Sequence, residues 1–377
     1  METNFGWSTP YSVGLEEEFQ LVRAESYGLV SRIEEILSAF EGEPVETRIK
    51  PELHQSVVET STKISGSVAE AVDDLVDLRA RLRRAAADDG TLIVSAGTHP
   101  FSRYDDQEVT ERPRYTGLQE SLGWLAERQL IFGLHVHVGV GSADKAIACA
   151  DGLRGFLPEL VALAANSPFW QGRDTGLASA RVKLSEALPR TGLPPALGSF
   201  AEFERLVELG VRTGCFPDYT HIWWDIRPHP KLGTIEIRIC DGQTRVENVA
   251  ALAALIQSLV ATLGSAFECD EEIAASPDLL LEENRWRALR DGLAARLIDL
   301  DGDGERPAPA AIRELVERCA PAAEALGCAE ELELVDEILG RGNGADEQRR
   351  VNEETGSLVA VARRLAEETA PRLAGAV

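Results

Sequence analysis

Several signatures of common enzyme classes are missing from this sequence. There is no GxxxxGK[ST] segment and no GxGxxG after a predicted strand, so we expect neither a P-loop nor a Rossmann-type dinucleotide site. GxSxG is also absent, which removes the nucleophile turn of the α/β-hydrolases. No uninterrupted run of about 18 apolar residues is present, so we expect no membrane span.

Positive charge is scarce in the chain. Its 38 Lys and Arg residues are outnumbered by 63 Asp and Glu residues, which gives a formal net charge of −25. A protein that binds nucleic acid needs cationic side chains against the phosphate backbone, so this balance argues against nucleic-acid binding. It does not exclude small anionic ligands, because a bound cation can reverse the local field.

Cysteine pairs with the spacing of metal or redox sites are absent as well. The six cysteines are scattered, and no two form a CxxC pair: Cys149, Cys215, Cys240, Cys269, Cys319 and Cys328. Such a set is typical of reduced thiols that lie mostly in the core. The first ten residues, METNFGWSTP, carry neither the basic nor the apolar segment of a signal peptide. We therefore expect a cytoplasmic protein.

The chain does contain three segments in which apolar and chemically active side chains alternate. They are residues 13–21 (VGLEEEFQL), 134–138 (LHVHV) and 234–240 (TIEIRIC). Successive side chains of a β-strand point to opposite faces. One face of these strands would carry Glu16, Glu18, His135, His137, Glu236 and Arg238, and the other face would be apolar. A sheet built from them would offer one side for a core and one side for a divalent-metal site.

The run Glu16-Glu17-Glu18 supplies the first candidate metal ligands. A solvated edge strand is the alternative, but the strongly apolar neighbours favour a central strand. Buried carboxylates need a cation or an ionic partner, and Mg²⁺ prefers carboxylate oxygens, so we interpret Glu16 and Glu18 as metal ligands. Glu17 faces the apolar side, and we predict that it pairs with a buried arginine.

The HxH pair His135 and His137 has two interpretations. Both residues could bind metal, or they could be hydrogen-bonded histidines at a sheet surface, and the residues alone favour neither. HxH also begins many TIM-barrel metallohydrolases, which makes metal-dependent hydrolysis without ATP an alternative function. That fold needs further histidines and a Lys or Asp on later barrel strands. Only His221 and His229 follow, and strands and helices do not alternate.

Other charged residues are ambiguous on their own. Glu52 and Glu59 would face opposite sides of an uninterrupted strand, so a bulge or turn must separate them if both reach the site, and alone they read as surface acids. Glu236 and Arg238 could form a cross-strand salt bridge, or could bind a cation and an anionic oxygen respectively. Arg173, Arg181 and Arg190 fall in the irregular region, and Arg227 lies beside the Trp223–Trp224 pair. Each alone is explained equally well as a surface arginine, but a cluster in a long loop between acidic strands favours a phosphate clamp.

The remaining pattern predicts one α+β unit over residues 1–377. Strands are predicted at about 11–23, 45–62, 91–97, 134–138, 221–227 and 234–240. Helices are predicted at about 67–89, 107–130 and 142–166, the last interrupted at Pro158, and residues 167–198 are irregular. From about 245 helices fill most of the chain, with a turn or linker at 300–310. We expect helices on the apolar face of an antiparallel sheet.

Taken together, eight stretches resemble the glutamate–cysteine ligase family, specifically the bacterial type 2 carboxylate–amine ligases. They are VGLEEEF (13–19), PELHQSVVETST (51–62), SAGTHPF (95–101), GLHVHVGV (133–140), ANSPFWQGRDTGLASAR (165–181), WWDIRPHPKLGTIEIRICD (223–241), ENRWRA (283–288) and GRGNGADEQR (340–349). The resemblance covers nearly the whole chain in order. It implies a glutamine-synthetase-like α+β fold, in which a curved antiparallel sheet lines a funnel, helices pack on its other face, and the C-terminal part is helical.

The resemblance also implies roles for individual residues. Six metal ligands are implied: Glu16, Glu18, Glu52, Glu59, His135 and Glu236. Arg238 would contact phosphate and serve catalysis together with Glu236, and Arg173 and Arg181 would help to bind the nucleotide. His137 stands where the family has Asn, and a contact with nucleotide or substrate is implied for it.

The implied activity is an ATP-dependent ligation. A glutamate side-chain carboxylate, or a similar acid, would be joined to an amine such as cysteine, with weak glutamate–cysteine ligase activity. ATP and Mg²⁺ (or Mn²⁺) are the implied cofactors, small amino acids and amines the implied partners, and a homodimer the implied assembly. The alternatives are the HxH hydrolase, a phosphotransferase acting on guanidino compounds, and a non-catalytic binding protein.

Overall fold

A computed structural model describes residues 1–87, 89–271, 276–300 and 302–369 of the chain. The strands are β1 (Val13–Arg23), β2 (Ile49–Pro51), β3 (Val57–Ser61), β4 (Thr91–Val94), β5 (Leu134–Gly139), β6 (Phe169–Trp170), β7 (Arg173–Asp174), β8 (Thr191–Gly192), β9 (Trp223–Trp224), β10 (Ile226–His229), β11 (Thr234–Ile237), β12 (Arg296–Ile298) and β13 (Glu305–Pro307). The helices are α1 (Ile33–Ser38), α2 (Val68–Ala87), α3 (Pro113–Leu122), α4 (Trp124–Glu127), α5 (Ala143–Leu153), α6 (Leu157–Ala164), α7 (Ala180–Ser185), α8 (Phe200–Arg212), α9 (Val246–Glu268), α10 (Asp278–Asp291), α11 (Ala308–Leu326), α12 (Ala329–Arg341), α13 (Gly344–Thr355) and α14 (Leu358–Thr369).

A seven-stranded antiparallel sheet organises the molecule. Its strand order is β10-β11-β5-β1-β3-β2, and β4 also pairs with β1. β1 is central: its residues 13–17 pair with β5, and its residues 16–20 pair with β3. The three alternating segments found in the sequence therefore lie side by side as β11, β5 and β1.

The register of these strands decides which polar side chains become neighbours. Glu16 on β1 is the partner of His135 on β5. Glu236 on β11 is the partner of the second histidine of β5, His137. Because paired residues of an antiparallel ladder share a face, the acidic and imidazole side chains collect on one side of the sheet.

The opposite face of the sheet forms the main core. Eight of its side chains are at most 2% exposed: Val13, Leu15, Leu134, Val136, Val138, Ile235, Ile237 and Ile239. Helices α2, α5 and α9 pack against this face, each contacting at least one of these strands. Each fully buried side chain of this size contributes about 1.5–3 kcal/mol, so the core holds the polar face on a rigid support.

Helix α9 has the length and composition of a membrane span. It is the one helix of the described residues with this property, its apolar window has a mean hydropathy of 1.8, and 83% of that window is buried inside the protein. Such burial is the property of a core helix in a globular domain. The helix fills the space between the sheet and α11 and α12.

Several boundaries differ from the sequence-based expectation. The predicted helix at 107–130 is divided into α3 and α4 at Gly123, whose φ of 54° ends the first helix. The region 167–198, predicted to be irregular, contains the short pair β6–β7, helix α7 and strand β8. The turn predicted at 300–310 is the end of a β12–β13 hairpin. Part of the predicted C-terminal helical region, residues 370–377, lies outside the described residues, as does residue 301 of that turn.

The predicted interruption of the helix at 142–166 and the prediction of mostly buried thiols are confirmed. Ser142 caps α5 by accepting the backbone N–H of Lys145, and Pro158 sits in the first turn of α6, where its missing N–H does no harm. All six cysteines are free, and four of them are buried. Most of the cysteines therefore pack in the core as free thiols.

Candidate active site

A cavity of about 480 Å³ opens on the polar face of the sheet. Its wall includes nine of the ten residues for which the family resemblance implies a role: Glu16, Glu18, Glu52, Glu59, His135, His137, Arg181, Glu236 and Arg238. The facing walls come from α3 and α4, from the segment around α7, and from the chain between Thr220 and His229. The distant stretches of sequence therefore meet in one place.

Three groups of potential metal ligands lie in this cavity. Within each group the ligand atoms are within 4.8 Å of one another. The groups are Glu16 with His137 and Glu236, Glu16 with Glu59 and His135, and Glu18 with Glu52 and Glu59. Because Glu16 and Glu59 each belong to two groups, the three groups form one continuous row across β11, β5, β1 and β3.

Both histidines present ring nitrogens to this row. The Nδ1 of His137 is 3.0 Å from the hydroxyl of Thr234, which directs its Nε2 to within 3.5 Å of Glu16 and 3.8 Å of Glu236. The Nδ1 of His135 lies 3.4 Å from Glu16 and 3.8 Å from Glu236. The Nε2 atoms of both rings are buried without a hydrogen-bond partner among the described residues. Imidazole nitrogens oriented by a neighbour in this way are suited to metal coordination.

Glu236 is the most enclosed carboxylate of the row. Its side chain is 0% exposed, and it accepts a hydrogen bond from Arg227 Nε at 2.6 Å and another from Arg238. Burial acts to raise the pKa of Glu236, but the two arginines outweigh it and hold that pKa well below its usual range. The group is therefore a carboxylate at neutral pH.

At the other end of the row, carboxylates crowd one another. Glu18 is the strand partner of Glu59. The turn that the sequence spacing of Glu52 and Glu59 required is present between β2 and β3, and it brings Glu52 beside both carboxylates. Burial and the charge of Glu18 raise the pKa of Glu52 to about 7. Burial, Glu16 and Glu52 raise the pKa of Glu59 well above its usual range, although Lys50 lies 3.1 Å from it. A bound divalent cation would relieve this repulsion.

The middle of the row is held by opposite charges. Burial acts against ionisation of Glu16, but His137 and His135 lower its pKa well below the usual value. Burial likewise opposes the charged form of His137, yet Glu16 and Glu236 raise its pKa. For His135, burial and the neighbouring Arg238 lower the pKa. The two histidines of the HxH pair thus differ in charge preference although they share a strand.

The four arginines of the predicted phosphate clamp do not lie together in the structure. Arg173 lies exposed on β7 and does not line the cavity, because β6–β7 forms a separate hairpin. Arg190 contacts the ring of Trp223 and does not line the cavity either. Arg181 does line it, and its guanidinium donates to the backbone carbonyls of Arg238 and Ile239. Of the four, only Arg181 and Arg227 belong to the cavity wall.

No local pattern predicted a second, less polar wall of the cavity. It consists of Leu53, His54 and Val57 from the β2–β3 turn and the start of β3, and of Arg114, Tyr115, Leu118, Leu122, Ala126, Gln129 and Ile131 from α3, α4 and the segment before β5. Tyr115 donates to the carbonyl of Pro51, which fixes α3 against that turn. His54 falls inside the stretch PELHQS, and its imidazole is buried with no hydrogen-bond partner among the described residues.

The glycine-rich stretch 340–349 lies beneath the site. Gln348 Nε2 donates to the backbone and side-chain oxygens of Asn166, and Asn343 donates to the carbonyl of Ala162. Gly344 is required here, because a Cβ would lie 2.1 Å from the Oδ1 of Asn166. This stretch therefore supports the loop that leads to Arg181 and does not line the cavity itself.

Comparison with known proteins assigns the chain to a family. The model of glutamate–cysteine ligase family 2 matches residues 12–368. The chain belongs to this family. "Putative glutamate–cysteine ligase 2-3" of Rubrobacter xylanophilus is 49% identical over 98% of this chain and 100% of its own length. "Putative glutamate–cysteine ligase 2" of Sorangium cellulosum is 42% identical over 95% of this chain and 96% of its own. The resemblance carried by the eight sequence stretches is confirmed, and the chain is a member of a carboxylate–amine ligase family.

Two solved structures share the fold of this chain. The glutamate–cysteine ligase of Francisella tularensis, solved in complex with AMP, has a TM-score of 0.70 at 14% identity and covers 98% of this chain and 91% of its own. A bifunctional glutathione synthetase from Pasteurella multocida has a TM-score of 0.68 at 15% identity over 96% of this chain and 53% of its own. At these identities the likeness establishes the fold, and the predicted glutamine-synthetase-like α+β class is confirmed.

Proposed function

We propose that the protein is an ATP-dependent ligase. It phosphorylates the side-chain carboxylate of glutamate, or a similar acid, and joins the resulting acyl phosphate to an amine such as cysteine. The observation that carries this proposal is the row of five carboxylates and two histidines on one sheet face, bordered by Arg238. Family membership supports the ligase class, and the AMP complex of the Francisella protein supports a nucleotide in this fold.

The chemistry explains why such a row is needed. A carboxylate does not react with an amine, because its carbonyl carbon is a poor electrophile and oxide is a poor leaving group. Phosphorylation replaces that leaving group with phosphate. Phosphoryl transfer depends on in-line placement and on neutralising charge more than on covalent help from the protein. An acidic cavity can accept ATP only when its own carboxylates are neutralised by cations.

The residues fit Mg²⁺ or Mn²⁺. Hard divalent cations take carboxylate oxygens and accept imidazole, and the crowded carboxylates, Nε2 of His137 and Nδ1 of His135 supply both. The residues that would hold cations are Glu16, Glu18, Glu52, Glu59, His135, His137 and Glu236. When bound, these cations neutralise phosphate charge and orient the terminal phosphoryl group. His137 joins the ligands here because its Nε2 faces Glu16 and Glu236.

The protein's own cationic groups have separate tasks in this proposal. Arg238 borders the ligand row and supplies hydrogen bonds for an anionic oxygen of the transferred group. Arg181 keeps the backbone of residues 238 and 239 in place through its two carbonyl contacts. The less polar wall between the β2–β3 turn and α3 limits the access of water from one side of the cavity, which protects an acyl phosphate from hydrolysis.

The setting of the reaction follows from the same proposal. Free cysteines suit a reducing compartment, and we place the protein in the cytoplasm, acting on small molecules as a homodimer. The net charge of −25 keeps nucleic acid from being a partner.

One assay tests the proposal against its alternatives. The protein is incubated with ATP, Mg²⁺, glutamate and a panel of amines that includes cysteine, and ADP and new amides are measured by mass spectrometry. We expect ADP release that depends on both the acid and an amine, with one amide formed per ADP. Turnover without ATP would favour the HxH hydrolase, and a phosphorylated product without an amide would favour the phosphotransferase. No turnover with any amine would favour a binding protein.

A further inference from the structure

Two arginines contact Glu236, one on each carboxylate oxygen. Arg227 Nε donates to Oε2 at 2.6 Å, and Arg238 donates through one terminal nitrogen to Oε1. Arg227 lies on β10, the edge strand next to β11, as the strand partner of Glu236, whereas Arg238 directly follows β11. The two guanidinium groups therefore approach the same carboxylate from different parts of the sheet.

Arg227 is fixed by contacts on both ends of its guanidinium. A terminal nitrogen donates to the backbone carbonyls of Thr220 at 3.0 Å and Ile222 at 3.2 Å. The residue is 8% exposed. Moving this guanidinium would take the donor away from Oε2 of a buried carboxylate and from two backbone carbonyls, which is costly. Arg227 therefore stays in place whatever else binds in the cavity.

Arg238 has fewer contacts and faces the cavity. Among the described residues its guanidinium makes hydrogen bonds only to Glu236 and, at 3.5 Å through the same nitrogen, to Nδ1 of His135. Its side chain is 19% exposed, twice the value of 10% for Arg227. No carbonyl holds the rest of its guanidinium among the described residues, so turning this side chain away costs only its contacts with Glu236 Oε1 and His135. A cation bound by the same oxygen would replace the first of them.

The guanidinium of Arg238 occupies the position beside Glu236 that a divalent metal ion would take. The Oε1 atom that it contacts lies 3.8 Å from His135 Nδ1 and 3.8 Å from His137 Nε2, and Glu236 belongs to the ligand group with Glu16 and His137. The imidazole of His135 offers the guanidinium of Arg238 little stabilisation, so the attraction of Glu236 is what holds the guanidinium there. A divalent cation held by the same oxygen and imidazoles would repel that guanidinium strongly at this distance.

We infer that Glu236 has one permanent and one exchangeable arginine. Arg227 is a positioning residue that fixes the carboxylate, and Arg238 is a stand-in cation that leaves Oε1 when a divalent cation enters the row. The displaced guanidinium is then free to meet phosphate oxygens, so metal entry would prepare the arginine for nucleotide. This inference rests on the proposed function, because it takes the row to be a metal site.

Metal binding without nucleotide tests the inference directly. The full chain is titrated with Mn²⁺, and free Mn²⁺ is measured by electron paramagnetic resonance for the wild type, Arg238→Gln, Arg227→Gln and Arg114→Gln. Arg114 lines the same cavity without contacting Glu236, so its variant controls for the loss of one positive charge. We expect Arg238→Gln to bind Mn²⁺ at least about fivefold more tightly, Arg227→Gln about fivefold more weakly, and Arg114→Gln within about twofold of the wild type.

The outcomes separate this inference from the proposed function. If Mn²⁺ binds to the wild type and Arg238→Gln does not tighten it beyond the Arg114→Gln control, the exchange is wrong while the metal site stands. If neither the wild type nor Arg238→Gln binds Mn²⁺, both the inference and the metal site fail. Should Arg227→Gln not fold, the comparison of Arg238→Gln with Arg114→Gln still decides the exchange.

Discussion

Glu17 and Arg79 form a completely buried ion pair on the core side of β1. Arg79 Nε donates to Glu17 Oε2 at 2.9 Å, and both side chains are 0% exposed. The remaining donors of Arg79 reach the backbone carbonyls of Gln243 and Thr244. The predicted arginine partner of Glu17 is thus confirmed, and it also fastens the segment after β11 to the back of the strand that carries Glu16 and Glu18.

Removing the arginine should destabilise the whole protein. Arg79→Met leaves Glu17 as an uncompensated buried charge, so we expect a loss of about 3–5 kcal/mol in the free energy of unfolding. Urea denaturation followed by circular dichroism measures it. Arg81→Met on the exposed face of α2 is the control, with an expected change below about 1 kcal/mol. Equal losses for the two variants would contradict the prediction.

Two carboxylates of the row should be essential for turnover. Glu16→Gln and Glu236→Gln keep the shape of the side chain but remove its negative charge, so we expect amine-dependent ADP release to be abolished while the far-ultraviolet circular dichroism spectrum is unchanged. The exposed Glu25→Gln just beyond β1 serves as the control and should keep wild-type turnover. Wild-type turnover in either site variant would remove that residue from the mechanism.

A single methyl group at Gly133 should disturb the histidine end of the row. A Cβ there would lie 2.3 Å from a terminal nitrogen of Arg181 and 3.0 Å from Nε2 of His135. Because the guanidinium is tied to two carbonyls, it cannot turn away freely. We expect Gly133→Ala to weaken Mn²⁺ binding at least about fivefold.

The matched control for that change is Gly155→Ala. No heavy atom lies within 4 Å of the Cβ that this change adds, so metal affinity should stay at the wild-type value. Isothermal titration calorimetry with Mn²⁺ measures both variants. Tight binding by Gly133→Ala would mean that the ring of His135 tolerates displacement and does not hold a cation.

Stability should fall as the pH rises because of Glu159 on α6. Burial raises the pKa of this carboxyl to about 7 in the folded protein, above the value of the unfolded chain. The unfolded state therefore loses the proton first, and the folded state becomes less stable as the pH rises from about 4.5 to 7. We expect Glu159→Gln to be more stable than the wild type by about 3 kcal/mol at pH 8 and by less than about 1 kcal/mol at pH 5.

Urea titrations at both pH values measure this effect. The exposed Glu317→Gln on α11 is the matched change, and its stability relative to the wild type should be the same at both pH values within about 0.5 kcal/mol. A constant difference for Glu159→Gln between pH 5 and pH 8 would show that the carboxyl is not desolvated in the folded protein.

Most of what could be predicted about the site came from the alternation of apolar and polar side chains along the strands. Glu16, His135 and Glu236 share a face because side-chain direction in a strand depends only on position along it. The sequence could not show which strands would be neighbours, yet an apolar opposite face forces all three onto the same sheet surface. That is why the cavity floor was predictable from local patterns.

The walls of the cavity were not predictable in the same way. Glu52 reaches Glu18 only because a tight turn between β2 and β3 reverses the chain, and spacing alone favoured a surface position for it. Arg114 and Tyr115 lie in the first turns of α3, whose position against that turn is a tertiary contact with no local signature. Arg173 lies on the β6–β7 hairpin and outside the cavity wall, and its predicted role at the nucleotide stays a prediction.

The support that Gln348 gives to Asn166 has a consequence for biosynthesis. Ribosomes release the N-terminal strands long before residues 340–349 leave the exit tunnel, and domains generally fold as units. The loop leading to Arg181 would then wait, with Oδ1 of Asn166 lacking the donor that Gln348 supplies, until translation is almost finished. We expect stalled or truncated chains to remain chaperone clients, so that no partly made copy withdraws nucleotide or divalent cations from the cell.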